Sequence, residues 1–267
     1  MQPSANERTP VEVAPGVMLD VAVHGPRTGV PLMLLHGWGN SARWWAPVTA
    51  LLRDRHRVIV PDQRMHGASL ALAAGRDVPV SIRALADDVV AVLDALGEDR
   101  AVLVGHSMGG QVAAVAADRR PDRVAGTVVA DPSYGASDEE IAAAPQRRAQ
   151  HLALARARRA VVPANPGAEE ERHFAALAEL YDSQYLRPDS VGARRDTAAL
   201  LRRRTRQSLT VYSTETAAAV ELELSRGCAV HPEVVVWPGV SHDFPVQRPE
   251  MFASLVRDWS RRAAATP

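Results

Sequence analysis

Short runs of consecutive apolar residues alternate along this chain with longer segments in which apolar residues recur every three or four positions. The short runs are typical of strands buried on both faces, and the longer spacing is typical of amphipathic helices. Strands that alternate with helices predict an α/β fold with a mostly parallel central sheet and helices on both of its faces. The predicted buried strands are residues 30–35, 57–60, 101–104, 127–130, 209–212 and 233–237.

Turn and capping residues mark the ends of several predicted elements. Residues 11–23 contain two β-like runs separated by Ala14-Pro15-Gly16, which predicts an antiparallel hairpin at the sheet edge. Asn40 or Ser41 can cap the helix that follows the first buried strand. An amphipathic pattern from residue 82 to 96 predicts a helix that ends at Gly97, and a last amphipathic helix is predicted over 249–262.

The pattern changes between residues 134 and 207, where only helical segments rich in Ala, Arg and Glu are indicated. Ser137 and Glu140 have the spacing of a capping box, and residues 163–167 predict a break between helices. We therefore expect a helical cap at 134–207, inserted into a core domain formed by 1–133 and 208–267. The arginines at 202–204 are interpreted as part of a solvated helix face.

Composition narrows the possible partners. Among the 267 residues, 31 basic side chains balance 31 acidic ones, so nothing favours nucleic acid or an anionic membrane as a partner. The first ten residues lack the apolar core of a signal peptide, and a single cysteine allows no disulfide within the chain. We expect a cytoplasmic protein that acts on a small molecule; the sequence does not indicate its oligomeric state.

The segment from residue 101 to 119 carries the strongest chemical signal. A buried strand ends in Gly105-His106-Ser107-Met108-Gly109, and a helix-forming segment follows at once. A serine on a sharp turn between strand and helix is exposed for attack, and the free N–H groups of the helix favour an oxyanion beside it. The pattern predicts Ser107 as a catalytic nucleophile.

A serine hydroxyl needs a general base within hydrogen-bond reach. Among nine histidines, His242 follows the last predicted strand on a loop that contains Pro and Gly, and it obeys the chain order of serine, acid and histidine. His36 and His66 lie at the same sheet edge but are interpreted as loop braces. His106 is expected to point away from Ser107 as a packing residue.

Two carboxylates compete to orient His242. Asp131 directly follows the strand after the nucleophile helix, whereas Glu215 follows the next strand, where many hydrolases with this order of elements place the acid. Glu215 also suits the first turn of a helix, so Asp131 is preferred and Glu215 is kept as the alternative. Asp62 is interpreted as a structural brace beside Arg64.

The oxyanion hole requires two backbone N–H donors. Met108 is predicted to supply the first, and Trp38, which lies between two glycines after the strand at 30–35, the second. No metal or cofactor is expected. Candidate substrate-binding side chains are Trp38, Tyr134, Phe174, Tyr181 and Tyr185.

Four motifs together resemble the α/β-hydrolase superfamily: residues 105–109, 36–39, 62–67 and the histidine at 242. This resemblance implies a serine hydrolase with a Ser-His-acid triad. Residues 237–245, with an acid after the strand that follows the nucleophile helix, look like the fungal zearalenone lactonases. Those enzymes open a macrocyclic lactone and use glutamate where this chain has Asp131.

The predicted site is compatible with several reactions. Hydrolysis of a carboxylic ester or lactone through an acyl-enzyme is the first hypothesis. The same triad also suits a C–C hydrolase, a thioesterase or a cofactor-free perhydrolase. A ligand-binding receptor that does not turn over its ligand is the alternative from another class. Epoxide hydrolases and dehalogenases are disfavoured because those relatives carry aspartate at the position of Ser107.

Overall fold

Eight strands form one sheet in a computed structural model that describes residues 7–73, 76–159, 167–187 and 190–264. Their spatial order is β1-β2-β4-β3-β5-β6-β7-β8, in which β1 and β2 are antiparallel and β3 to β8 run parallel. The predicted edge hairpin and the mostly parallel sheet are confirmed. The strands are β1 Glu7–Ala14, β2 Val17–His24, β3 Leu32–Leu35, β4 Val58–Pro61, β5 Ala101–His106, β6 Val124–Ala130, β7 Ser208–Tyr212 and β8 Glu233–Val236.

Helices connect the parallel strands and cover both faces of the sheet. A 3₁₀ turn at Ala42–Trp45 leads into the first helix. Within the described residues, no helix has the length and apolar character required to cross a membrane. The helices are α1 Ala46–Leu52, α2 Ser69–Leu72, α3 Ile82–Leu96, α4 Met108–Arg119, α5 Asp138–Ala142, α6 Ala144–Arg159, α7 Ala168–Tyr185, α8 Arg194–Arg202, α9 Glu215–Leu224, α10 Phe244–Gln247 and α11 Pro249–Ala264.

The two faces of the sheet have separate cores. On one face, α3 and α4 bury their apolar sides against residues such as Met33 and Leu103. On the other face, α1 and α11 pack around Trp45 and Trp259. Strand residues therefore face apolar helices in both directions, which explains why the parallel strands read as continuous apolar runs.

Four helices, α5 to α8, lie between β6 and β7, where the helical cap is predicted. The capping box forms, because Ser137 and Glu140 each accept a backbone N–H of the other residue. Apolar residues of α7 and α8 join the core on the α3 side of the sheet. The predicted break at 163–167 lies outside the described residues except for Gly167, which caps α7.

Two local interpretations are corrected. Ser41 precedes the 3₁₀ turn but makes no side-chain cap; the Asp62 carboxylate accepts the Ala42 N–H instead, at 2.5 Å. Asp62 does brace its loop, yet its charged partner is Arg8, at 2.6 Å, because Arg64 forms a buried ion pair with Asp88.

The arginines at 202–204 do not share one environment. Arg203 is largely exposed, but Arg204 is mostly buried and donates to the fully buried Glu221 carboxylate at 2.8 Å. The interpretation of this run as a solvated helix face is therefore wrong for Arg204. A charged side chain at this depth requires an opposite charge.

Candidate active site

Ser107 occupies the tight turn that joins β5 to α4. Its backbone has φ 52° and ψ −117°, a strained conformation for a residue with a side chain. Gly105 and Gly109 make the turn possible: a Cβ atom would lie 2.3 Å from the Gly109 carbonyl oxygen in the first case, and 2.1 Å from the Leu35 carbonyl oxygen in the second. The glycines permit close packing of strand, turn and helix, and that packing holds Ser107 in its strained conformation.

His242 and Asp131 meet although 111 residues separate them in the chain. The imidazole Nδ1 lies 2.9 Å from Asp131 Oδ2. The histidine side chain is 51% exposed, whereas the aspartate side chain is 11% exposed. Burial raises the pKa of Asp131, but the hydrogen bonds from His242 and Ser213 outweigh it and hold this pKa below its ordinary value. The carboxylate therefore stays ionised and fixes the Nδ1–H tautomer of the imidazole.

Ser213 is a site residue that sequence reasoning missed. Its backbone N–H donates to Asp131 Oδ1 at 2.9 Å, and its hydroxyl donates to Asp131 Oδ2 at 2.7 Å. Ser213 directly follows β7, the strand next to β6 in the sheet. Its position after a strand, at the same edge as the predicted triad, was the available signal.

Glu215, the alternative acid, belongs to helix α9. It is exposed at the first position of α9, where a carboxylate is favoured by the helix dipole. Thr214 caps this helix by accepting the Ala217 N–H. The position of Glu215 is thus explained by the helix start, and Asp131 is the carboxylate that reaches the histidine.

His106 contacts the histidine loop instead of pointing away from the site. Its ring stacks on Trp44 with centroids 4.3 Å apart, and its Nε2–H donates to the His242 carbonyl oxygen at 2.9 Å. Burial, together with the nearby His242, lowers the pKa of His106 to about 3. A neutral His106 therefore packs as predicted, but it also holds the backbone that carries His242.

The loop after β3 lies directly against the nucleophile turn. A Cβ atom placed on Gly37 would lie 3.0 Å from His106 Nδ1 and 3.4 Å from Ser107 Cβ. His66 Nε2 accepts the Gly39 N–H at 3.2 Å, which agrees with its interpretation as a loop brace. This proximity suits the predicted oxyanion donors, the backbone N–H groups of Trp38 and Met108.

His36 also braces the loop after β3. Its Nε2 accepts the Gln63 N–H at 3.1 Å, and its Nδ1 donates to the Gly37 carbonyl oxygen at 2.9 Å. The ring is fully buried, and burial lowers the pKa of His36. Its neutral ring therefore links the two loops that follow β3 and β4.

A cavity of about 420 Å³ opens above the nucleophile turn. Ser107 and His242 both line it, together with the loop after β3. Three of the predicted substrate-binding side chains, Trp38, Tyr181 and Tyr185, also line it. The remaining wall comes largely from the helices between β6 and β7, through His151, Leu154, Ala155, His173 and Gln184.

Two predicted substrate-binding residues lie away from this cavity. Tyr134 faces a separate space of about 20 Å³ and donates to the Gly110 carbonyl oxygen at 3.3 Å. Phe174 is buried, with the Arg156 guanidinium 4.1 Å from its ring centroid. Their neighbours Ser133 and His173 line the cavity instead, because adjacent residues point in different directions.

Comparison with known proteins agrees with this architecture. Residues 30–223, more than half of the chain, match the family model for the alpha/beta hydrolase fold. A relative from Variovorax paradoxus, which carries the name carbamate hydrolase RutD, is 44% identical over 112 residues. A non-heme chloroperoxidase from Streptomyces lividans is 40% identical over 107 residues.

These matches are partial. The first covers 42% of this chain and 41% of its relative, and the second covers 39% and 37%. The chain therefore matches about two fifths of the length of these curated relatives.

A solved structure matches over a longer range. Est816, described as an N-acyl homoserine lactone degrading enzyme, superposes with a TM-score of 0.68 at 28% identity. The superposition covers 94% of this chain and 99% of Est816. With the family model, the sheet order and the nucleophile turn in agreement, the chain belongs to the α/β-hydrolase fold family.

Proposed function

We propose that this protein is a serine hydrolase that cleaves a carboxylic ester or lactone through an acyl-enzyme. The observation that carries the proposal is the 2.9 Å contact between His242 Nδ1 and Asp131 Oδ2, beside a cavity that Ser107 also lines. A strained serine, an oriented imidazole and a buried ionised carboxylate are the parts that this chemistry needs.

In the first half-reaction, Ser107 Oγ attacks the carbonyl carbon while His242 Nε2 accepts the hydroxyl proton. The N–H groups of Met108 and Trp38 stabilise the oxyanion. Collapse of this intermediate breaks the bond to the alcohol oxygen, which takes the proton from His242. Asp131 stays ionised throughout and stabilises the imidazolium.

In the second half-reaction, water attacks the acyl carbon and gives a proton to His242. The proton then returns to Ser107 Oγ as the acid leaves. A lactone follows the same steps, except that its alcohol and acid ends remain joined in one hydroxy acid. Support for a substrate that contains a lactone comes from the similarity to Est816, an N-acyl homoserine lactone degrading enzyme, at 28% identity over 94% of the chain.

Perhydrolysis is a second candidate, favoured by the similarity to a non-heme chloroperoxidase. Here hydrogen peroxide replaces water in the second half-reaction and releases a peracid from the same acyl-enzyme. The two candidates share Ser107, so they differ only in the acceptor. Peracid formation from acetate ester and peroxide, measured beside ester hydrolysis, distinguishes them.

The triad is tested by three substitutions assayed on p-nitrophenyl acetate and on a γ-lactone. We expect Ser107→Ala and Asp131→Asn each to lower kcat by about a thousandfold or more, because a triad acts as a unit. Glu215→Gln is the matched control and is expected to keep kcat within about twofold, since an exposed helix-start carboxylate takes no part.

Two outcomes would contradict the proposal. If Ser107→Ala turned over substrate nearly as fast as the unchanged protein, Ser107 would not be the nucleophile. If kcat fell strongly in Glu215→Gln and little in Asp131→Asn, the catalytic acid would be Glu215, which follows β7. Circular dichroism of each variant separates lost chemistry from lost folding.

A further inference from the structure

The cavity has a polar wall that the proposed reaction does not use. Gln184 and Tyr185, at the end of α7, line it beside Ser133, which follows the Asp131 loop. Ser133 and Tyr185 are the hydroxyl-bearing residues of this wall. None of these three side chains takes part in the proposed reaction, so they are available to contact the part of a substrate beyond the reacting carbonyl.

Gln184 is the residue of this wall with the most hydrogen-bonding capacity left for a ligand. Its side chain is only 3% exposed, yet it lines the cavity. Its Nε2 donates to the Leu180 carbonyl oxygen of the preceding turn at 3.4 Å, a long and therefore weak hydrogen bond. A glutamine amide offers two donors and one carbonyl acceptor, so this contact leaves most of its capacity for a ligand.

The polar wall formed by Ser133, Gln184 and Tyr185 carries no charge. Burial raises the pKa of Tyr185 to about 12, and burial with the charge of Arg147 lowers the pKa of His151. Among the described residues that line the cavity, none is an arginine, and Asp243 is the one carboxylate. Arg147 lies 6.0 Å from the Tyr185 ring centroid but does not line the cavity, so an anionic group there would meet no arginine among the lining residues.

The geometry points to Gln184, with Ser133 and Tyr185 beside it, as a subsite for an uncharged secondary amide on the substrate. A side-chain amide presents a donor and an acceptor side by side, which matches the carbonyl and N–H of such a group. Trp38, Leu154 and Ala155 supply apolar wall for the adjoining carbons. This subsite rests on the proposed function, because it selects among esters and lactones cleaved at Ser107.

The test compares substrates that differ in the amide alone. One pair is p-nitrophenyl N-acetylglycinate and p-nitrophenyl pentanoate, which have acyl chains of equal length. The other is N-butanoyl homoserine lactone and α-pentyl-γ-butyrolactone, which carry side chains of equal length on the same ring carbon. The measured quantity is the ratio of kcat/KM within each pair, compared between the unchanged protein and variants so that intrinsic reactivity cancels.

In Gln184→Leu, we expect the amide preference in at least one pair to fall about tenfold, the effect of one lost hydrogen bond to substrate. Gln184→Glu keeps the shape, removes the N–H donors, and is expected to lower the same ratio. Gln150→Leu makes the identical change at an exposed position of α6 and is expected to leave both ratios unchanged. Hydrolysis of p-nitrophenyl acetate, which lacks the amide, is expected to stay within about twofold in Gln150→Leu.

An unchanged ratio in both pairs, or equal losses on the amide and non-amide members, would overturn the subsite. If the unchanged protein hydrolysed p-nitrophenyl acetate no faster than Ser107→Ala, the proposed function itself would be wrong. The acetate assay thus distinguishes the two failures.

Discussion

At the scale of single residues, the carboxylate of Asp131 is set by groups from two different strand ends. Asp131 has a positive φ of 46°, a conformation that few residues with side chains adopt. Ser213 binds both of its oxygens, and one of them also meets His242. Ser213 therefore positions the carboxylate of Asp131, and Ser213 and His242 both donate hydrogen bonds to it.

Replacing Ser213 tests this positioning role. In Ser213→Ala, Asp131 loses one of the donors that hold its pKa low, and more of its charge acts on the imidazolium. The base must be neutral to act, so the acidic limb of the kcat/KM profile is expected to move up by about half a pH unit, with kcat/KM lower by about fivefold. Ser213→Thr keeps the hydroxyl and is expected to restore both values; a profile of unchanged position in the alanine variant would refute the role.

At the scale of elements, the loop after β3 is attached to helix α7. The Trp38 indole N–H donates to the Leu177 carbonyl oxygen at 2.8 Å, and the ring lies edge-on to Tyr181. Helix α7 also contacts the loop after β4, where His173 donates to the Met65 carbonyl oxygen at 2.5 Å. The position of α7 is thereby coupled to the loop from which the second oxyanion donor is proposed to come.

Trp38→Phe removes the indole N–H and keeps an aromatic ring in the wall. A small displacement of an oxyanion donor weakens binding of the transition state more than binding of the substrate. We expect kcat for p-nitrophenyl acetate to fall by about tenfold with KM changed less than threefold. A rise in KM alone would mean that Trp38 contributes to substrate binding and has no part in positioning the loop.

At the scale of the whole molecule, the helices between β6 and β7 are joined to the sheet by a buried ion pair. Arg204, after α8, donates to Glu221 of α9, and Tyr212 of β7 donates to the same carboxylate at 2.9 Å. Glu221 is fully buried. Removing one partner would leave its charge without compensation.

Two neighbouring arginines provide a matched test of stability. Arg204→Ala is expected to lower the free energy of unfolding by about 3 kcal/mol, because it strands a buried carboxylate. Arg203→Ala removes an exposed pair with Asp118 and is expected to cost less than about 1 kcal/mol. Urea unfolding of both variants measures the difference, and equal losses would contradict the assigned environments.

The sequence by itself determined the sheet, its flanking helices and the nucleophile turn. These features depend on local properties of the sequence. Continuous apolar runs indicate strands that are buried on both faces. Glycines at 105 and 109 indicate a turn whose backbone packs too closely against its neighbours for a Cβ atom. It also placed His242 and Asp131 after strands at one sheet edge, since carboxyl ends of parallel strands converge there.

Only the tertiary structure decided which acid meets the histidine and which side chains face the cavity. Asp131 and Glu215 both follow strands, and the contact at His242 depends on backbone directions that no local pattern encodes. Ser133 and His173 line the cavity in place of their predicted neighbours Tyr134 and Phe174. The reason is the same, because adjacent residues in a chain point their side chains in different directions. Pairings such as Arg204 with Glu221 likewise depend on segments far apart in the chain, because burial and charge compensation exist only after they pack together.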